Sequence, residues 1–255
     1  MSGLYDHPAY YDLAFSWRDI GQEVEVLERL AREHGCADGY RVMELVCGHA
    51  PHAQTWDQRG WHYTGLDINP HMLAAAQQRA ASAGRCTFIE GDLRRFALRE
   101  RIDMAVVLLG SLYVQSEAEL MQHLDCVAAA LRPGGLYVWD WCVQFAPLDT
   151  HVDQWTVQRE GVHVQVTARI TPTSVAGERL FHEHLSIKVN DHGRHVELEE
   201  RATRLALSLP DLMRLLCQRA DFEFIGAWNR WSLDEPVAEA RRINRPIVAL
   251  RRLGS

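Results

Sequence analysis

The sequence predicts an α/β protein: a doubly wound, seven-stranded, mostly parallel sheet with an antiparallel β insertion after its fifth strand. Three observations carry this prediction. Strand-like and helix-like segments alternate from about Tyr40 to Trp141. From about Val152 to Leu207 the pattern changes to period-two alternation. A helix and two further strands then close the chain.

Residues 41–46, 62–67, 86–90, 102–109 and 136–141 read as strands one to five, the last after the turn Pro133-Gly134-Gly135. Residues 70–83 and 117–131 carry apolar side chains at helical spacing, with Asn69 and Ser116 placed as N-caps. In the insertion Val162, Val164, Val166 and Ala168 alternate, then Leu180, His182, His184 and Ser186, then Val196, Leu198 and Glu200. That pattern predicts three antiparallel strands. Ser208 caps a helix that carries Pro210 near its start and runs to about Arg219, and strands near 222–231 and 246–252 follow. Without an internal repeat or low-complexity linker, residues 1–255 read as a single domain. Its parts are an N-terminal helical segment (1–35), a core (40–150), the β insertion (151–207), and a closing helix with two strands (208–255).

Composition bounds the function. With 47% apolar residues in 255, the chain has enough to build a sizeable core. A formal charge of -7 supplies no positive field for a polyanion, which argues against nucleic acid as a general partner. The six cysteines (Cys36, Cys47, Cys86, Cys126, Cys142, Cys217) include no CxxC pair and read as buried free thiols of a reducing compartment. No basic segment followed by an apolar stretch opens the chain, and no run of 18 apolar residues occurs, so a cytoplasmic protein without a membrane partner is expected. The closest histidine groupings, His182-Glu183-His184 and His192 with His195, lack a third ligand at a telling spacing; they read as solvated strand residues, and no metal is expected. Nothing in the sequence specifies an oligomeric state.

In an open α/β sheet the ligand sits beyond the carboxyl ends of the strands. Here the first such loop is Cys47-Gly48-His49-Ala50-Pro51. It does not match the dinucleotide pattern GxGxxG, because Val46 stands where the first glycine would be. Asp67 ends strand two, twenty-one residues after Val46, where a carboxylate can accept hydrogen bonds from both hydroxyls of a ribose. Asp92 ends strand three and can receive an adenine amino group. Three consecutive strand ends thus point polar groups into one crevice, as an adenosine-containing ligand requires.

These residues resemble the class I S-adenosylmethionine-dependent methyltransferase family. Val42-Met43-Glu44-Leu45-Val46-Cys47-Gly48-His49-Ala50 looks like its first motif, Gly65-Leu66-Asp67 its ribose motif, and Glu90-Gly91-Asp92-Leu93 its adenine motif. Leu108-Leu109-Gly110-Ser111-Leu112 and Leu131-Arg132-Pro133-Gly134-Gly135-Leu136 look like the later two. The resemblance implies S-adenosylmethionine as cofactor. Asp67 would hold the ribose, Asp92 with Leu93 the adenine, and Glu44 with Gly48 and the nearby backbone the methionine part. Leu109, Gly110 and Ser111 would lie beside the sulfonium. Cys47, Ala50, Ile68, Met72 and Gly91 complete the expected binding set. The departure is Val46, where the family usually has glycine; its branched side chain narrows the approach to the methionine part.

In that family a segment like 1–35 closes over the cofactor as a lid. Aromatic faces suit a sulfonium, a cation without hydrogen-bond donors, which marks Tyr10, Tyr11 and Trp17, together with Ser111, as the expected catalytic set; an amphipathic helix whose aromatics fill a groove on the sheet is the equal alternative for the three aromatics. The insertion is expected to supply one wall of an acceptor pocket, together with Trp139, Trp141, Trp228, Asn229 and Trp231, although for any one tryptophan core packing is the commoner role. Arg245 is placed to bind a carboxylate or to form a surface ion pair. His49 and His151 are the available bases, neither convincing. Three functions stay open at this point. One is methyl transfer to a small-molecule substrate. A second is cyclisation of S-adenosylmethionine to azetidine-2-carboxylate and methylthioadenosine, as in the methyltransferase-like cyclases that the chain also resembles. The third is non-catalytic S-adenosylmethionine binding.

Overall fold

The computed structural model describes residues 3–35, 38–173 and 179–254. Two helices lead the chain, α1 (Pro8–Ala14) and α2 (Ile20–His34), the second capped by the Asp19 side chain on the Gln22 N–H. The core then alternates: β1 (Arg41–Leu45), α3 (Ala53–Gln58), β2 (His62–Asp67), α4 (Pro70–Arg79), β3 (Cys86–Glu90), β4 (Ile102–Val107), α5 (Glu117–Ala130) and β5 (Leu131–Asp140). Four strands follow, β6 (His151–Arg159), β7 (Val162–Pro172), β8 (Leu180–Asp191) and β9 (Arg194–Leu205). The chain ends with α6 (Leu209–Cys217), β10 (Phe222–Trp228) and β11 (Ile247–Arg252).

The large sheet has the order β10-β11-β5-β4-β1-β2-β3, and β11 runs antiparallel to both of its neighbours while the other pairs are parallel. Strand order reverses between β1 and β4, so the crevice for a ligand opens at their carboxyl ends. The sheet's interior strands are continuously apolar because helices cover both faces: β4 is buried at all six positions. One apolar layer packs α5 and α6 on one face; the other packs α2, α3 and α4 on the opposite face. The expected caps of α4 and α5 are present: Asn69 accepts from the His71 and Met72 N–H groups, and Ser116 from that of Glu119.

Two expectations need correction. The insertion has four strands rather than three, in the order β6-β7-β8-β9. The additional strand β6 is an edge strand, exposed on one face and half-buried on the other, where the side chains are Asp153, Trp155 and Val157, so no sustained period-two apolar pattern marks it. It pairs with β7 through a two-residue turn at Glu160 and Gly161, both at positive φ. The helix α3 was also not anticipated; at six residues, with no side-chain cap, it carries too little periodicity to read. Among the cysteines, Cys47 is buried, Cys86, Cys126 and Cys142 are half-buried and Cys217 is exposed, all as free thiols. Cys36 lies outside the described residues. The inner face of the small sheet packs Val164, Val166, Ile187, Val189 and Leu198 against Leu4 and Ala14, which seats the N-terminal segment on the insertion. No described helix is long and apolar enough to cross a membrane.

Candidate cofactor and acceptor site

The loop after β1 places Val46, Gly48 and Ala50 in left-handed backbone, at φ of 56, 55 and 49°. Glycine adopts this conformation freely; a β-branched valine there carries strain of order 1–2 kcal/mol. The loop is held in place by Asp67. Its Oδ2 accepts the Gly48 N–H at 2.7 Å and its Oδ1 the Asn69 N–H at 2.8 Å. Burial raises the Asp67 pKa, against the N–H groups of Asn69, Gly48 and Ile68 that favour the carboxylate. Each carboxylate oxygen keeps capacity for a further donor, which matches the two hydroxyls of a ribose. Gly65, in the same motif, admits no side chain: a Cβ there would sit 2.8 Å from the Cys47 sulfur.

A cavity of about 580 Å³ opens above these strand ends. Of the expected residues it brings together Tyr11, Gly48, Asp67, Ile68, Met72, Gly91, Asp92, Leu93 and Ser111, with Val46 on its wall. Ile68, 65% exposed, offers an apolar surface for a planar base. Asp92 is more occupied than expected. The Arg94 guanidinium grips both of its oxygens, at 2.7 to 3.1 Å, lowers its pKa, and bonds Glu119 with its other nitrogen.

The other expected residues lie off the cavity wall. Glu44 is buried with His52 at 3.0 Å and the Tyr63 hydroxyl at 2.7 Å. Cys47 and Ala50 pack into the core behind the loop. Leu109, at φ 53°, donates its N–H to Asp140 at 3.0 Å, and the Gly110 carbonyl accepts from Arg204. Tyr10 donates its hydroxyl to Asp191 at 2.8 Å, on the insertion. Trp17, half-exposed, lies over the Arg245 guanidinium at 5.4 Å. Nor do the tryptophans wall the pocket. Trp139 is core, Trp231 is buried and donates to Asp140, Trp228 packs near His34, Trp141 is half-exposed, and Asn229 bonds Glu235 and the Arg242 carbonyl. That wall comes instead from β9, through Glu200, Arg201, Ala202 and Thr203, together with Tyr5, Tyr113 and Gln115. Neither histidine is on the cavity wall: His49 bonds Asp12 at 2.9 Å, and exposed His151 bonds Asp153 at 2.9 Å.

Beneath the crevice lies a buried ion network that pattern reading missed. Glu23 bonds His52 at 3.0 Å and Arg245 at 2.7 Å and pairs with Arg18, while Arg245 also bonds Asp140 at 2.6 Å. Burial alone would lower the His52 pKa, but the Glu44 and Glu23 carboxylates outweigh it and raise it. The network therefore joins Glu44, below the β1 loop, to Asp140, which holds the β4 loop.

Residues 42–135 match the family model described as a methyltransferase domain. Over these residues the chain is similar to methyltransferases. Among curated proteins it is 26% identical over 132 residues to the putative methyltransferase YqeM of Bacillus subtilis, covering 51% of each chain. It thus spans about half the length of that relative. Among solved structures it resembles CalS10, an amino pentose methyltransferase from Micromonospora echinaspora, with TM-score 0.75, 21% identity, and coverage of 95% of this chain and 96% of that one. It also resembles DesVI of Streptomyces venezuelae, with TM-score 0.77, 19% identity and 98% of each chain covered. These likenesses establish the class I methyltransferase fold. The residues on the cavity wall fit this family's cofactor: a diol partner in Asp67, an apolar shelf in Ile68, and a left-handed backbone loop at Gly48.

Proposed function

We propose that this chain transfers the methyl group of S-adenosylmethionine to a small molecule. The observation that carries the reading is the single cavity joining the cofactor-side residues Gly48, Asp67 and Leu93 to a second region walled by Ser111, Tyr113 and β9. In this reading Asp67 accepts the ribose hydroxyls, Ile68 and Leu93 flank the adenine, and the backbone at Val46 and Gly48 faces the methionine part. Bound there, S-adenosylmethionine supplies an electrophilic methyl carbon. Tyr11 and Ser111, both on the cavity wall, would border that carbon and exclude water, and the walls would hold the acceptor in line, which is the main source of rate in such a transfer. The segment before β1 serves as the lid, tied down by Asp12, which bonds His49 at 2.9 Å and Arg79 at 2.7 Å. The amino pentose named for the Micromonospora relative is an acceptor of this scale.

Cyclisation of the cofactor would need no second region, and mere binding would need no enclosing wall, so the β9 side of the cavity favours transfer over both. Incubating the protein with S-adenosylmethionine and a panel of small amines and alcohols tests this, with mass spectrometry as the readout. S-adenosylhomocysteine with an acceptor heavier by one CH2, a methyl group in place of a hydrogen, is the expected result. Methylthioadenosine released from cofactor alone would establish cyclisation instead.

A further inference from the structure

Past Ser111 the cavity is closed by β9, Tyr113 and the N-terminal Tyr5, whose hydroxyl lies 2.8 Å from that of Tyr113. Strand alternation turns Leu198, Glu200, Ala202 and Arg204 to one side of β9. Leu198 and Arg204 are buried, while Glu200 and Ala202 reach the cavity. The cations nearby are already engaged. Arg204 pairs with Glu183 at 2.5 Å and bonds the Gly110 carbonyl, Arg201 pairs with Glu199 at 3.3 Å, and Arg94 holds Asp92. Among the described residues no cation pairs with Glu200. Its carboxylate is half-buried and accepts the Arg201 backbone N–H. Burial, and then the neighbouring Asp6 and Glu183, raise its pKa. A carboxylate in this setting lacks the positive partner that would stabilise it.

We propose that the acceptor is an amine, bound as its ammonium against Glu200, and that Glu200 takes its proton. This rests on the methyl-transfer reading. The proton passes from nitrogen to the Glu200 carboxylate and on to water. The freed nitrogen lone pair forms the bond to the methyl carbon, the carbon–sulfur bond breaks with its pair going to sulfur, and the product leaves as a methylated ammonium. Glu200 thereby solves two problems of an amine acceptor: a negative charge between two cations lets the ammonium approach the sulfonium, and a base exposes the lone pair. An alcohol would gain little here. A carboxylate is too weak to deprotonate a hydroxyl, and burial raises the pKa of both Tyr5 and Tyr113, leaving neither as a base near neutral pH.

The test uses the protein saturated with S-adenosylhomocysteine and a matched pair of probes, tyramine and tyrosol, which differ only in carrying an ammonium or a hydroxyl. Calorimetry should find tyramine bound roughly tenfold or more tighter than tyrosol. Glu200→Gln should abolish that preference while S-adenosylhomocysteine binds as before, which also reports that the variant is folded. Equal binding of the two probes, binding of neither, or a preference that survives in Glu200→Gln would overturn the amine assignment and leave methyl transfer standing. Failure of S-adenosylhomocysteine itself to bind would overturn the reading on which the assignment rests.

Discussion

Asp67 carries two loads at once. It fastens the β1 loop through the Gly48 N–H and the start of α4 through Asn69, whose own side chain then caps that helix. Its remaining lone pairs are the ones that a ribose would use. Asp67→Ala should therefore weaken S-adenosylmethionine binding by roughly 1–3 kcal/mol, the scale of charged hydrogen bonds lost from a partly buried site. Calorimetry decides it: unchanged affinity would remove Asp67 from the site. The left-handed residues Val46 and Ala50 show the other side of this economy. The loop keeps the backbone shape that glycines would adopt, although the side chains resist it, because the Asp67 clamp and the Cys47 N–H to Leu66 carbonyl bond at 2.9 Å over-determine its path.

Elements with a strong local signal were legible. The strands β2 and β3 fall at 62–67 and 86–90 as read, since each is a short apolar run closed by an acidic residue or glycine, and the caps Asn69 and Ser116 announced α4 and α5. The strand β6 was not, because an exposed edge strand needs no apolar face, and what makes it a strand is its partner β7. The helix α5 also hides a function at the element scale. Its His123 is fully buried, bonds the Leu93 carbonyl through Nδ1 at 2.7 Å and contacts the Tyr137 hydroxyl through Nε2, so it ties the loop after β3 to β5. Burial lowers its pKa to about 4. The folded protein thus keeps His123 neutral while the unfolded chain takes up a proton below about pH 6.5. Stability from this group is complete above pH 6.5 and is lost as pH falls towards 4, by roughly 3 kcal/mol over that interval. Urea unfolding at pH 7 and at pH 4.5 should show the difference, and His123→Phe should flatten that part of the pH dependence while lowering stability at both.

At the scale of the molecule, the candidate site depends on contacts that no local pattern can announce. Glu200 stood in the alternating set with Val196 and Leu198, yet its position at the cavity follows from how the small sheet docks beside the β4 loop. The ion network is still less visible: Glu23 and Arg245 meet across 222 residues of sequence. Arg18, Arg245 and the His52 imidazole share this interior with three carboxylates (Glu23, Glu44, Asp140), and Glu23 touches all three of the basic side chains. Removing one member leaves the rest buried and uncompensated, which is the costly case for charges in an interior. Glu23→Gln should lower unfolding stability by about 3 kcal/mol at neutral pH, measured as a shift in the urea midpoint. His52 sets the sign of the pH dependence. Its raised pKa means its contribution is complete below the ordinary imidazole value and disappears as pH rises through the raised one, so the deficit of the variant should shrink in alkaline buffer. Because the network supports Glu44 under one loop and Asp140 under the other, the same variant should also bind S-adenosylhomocysteine more weakly. A variant with wild-type midpoint and wild-type affinity would mean that the two loops hold their places without it.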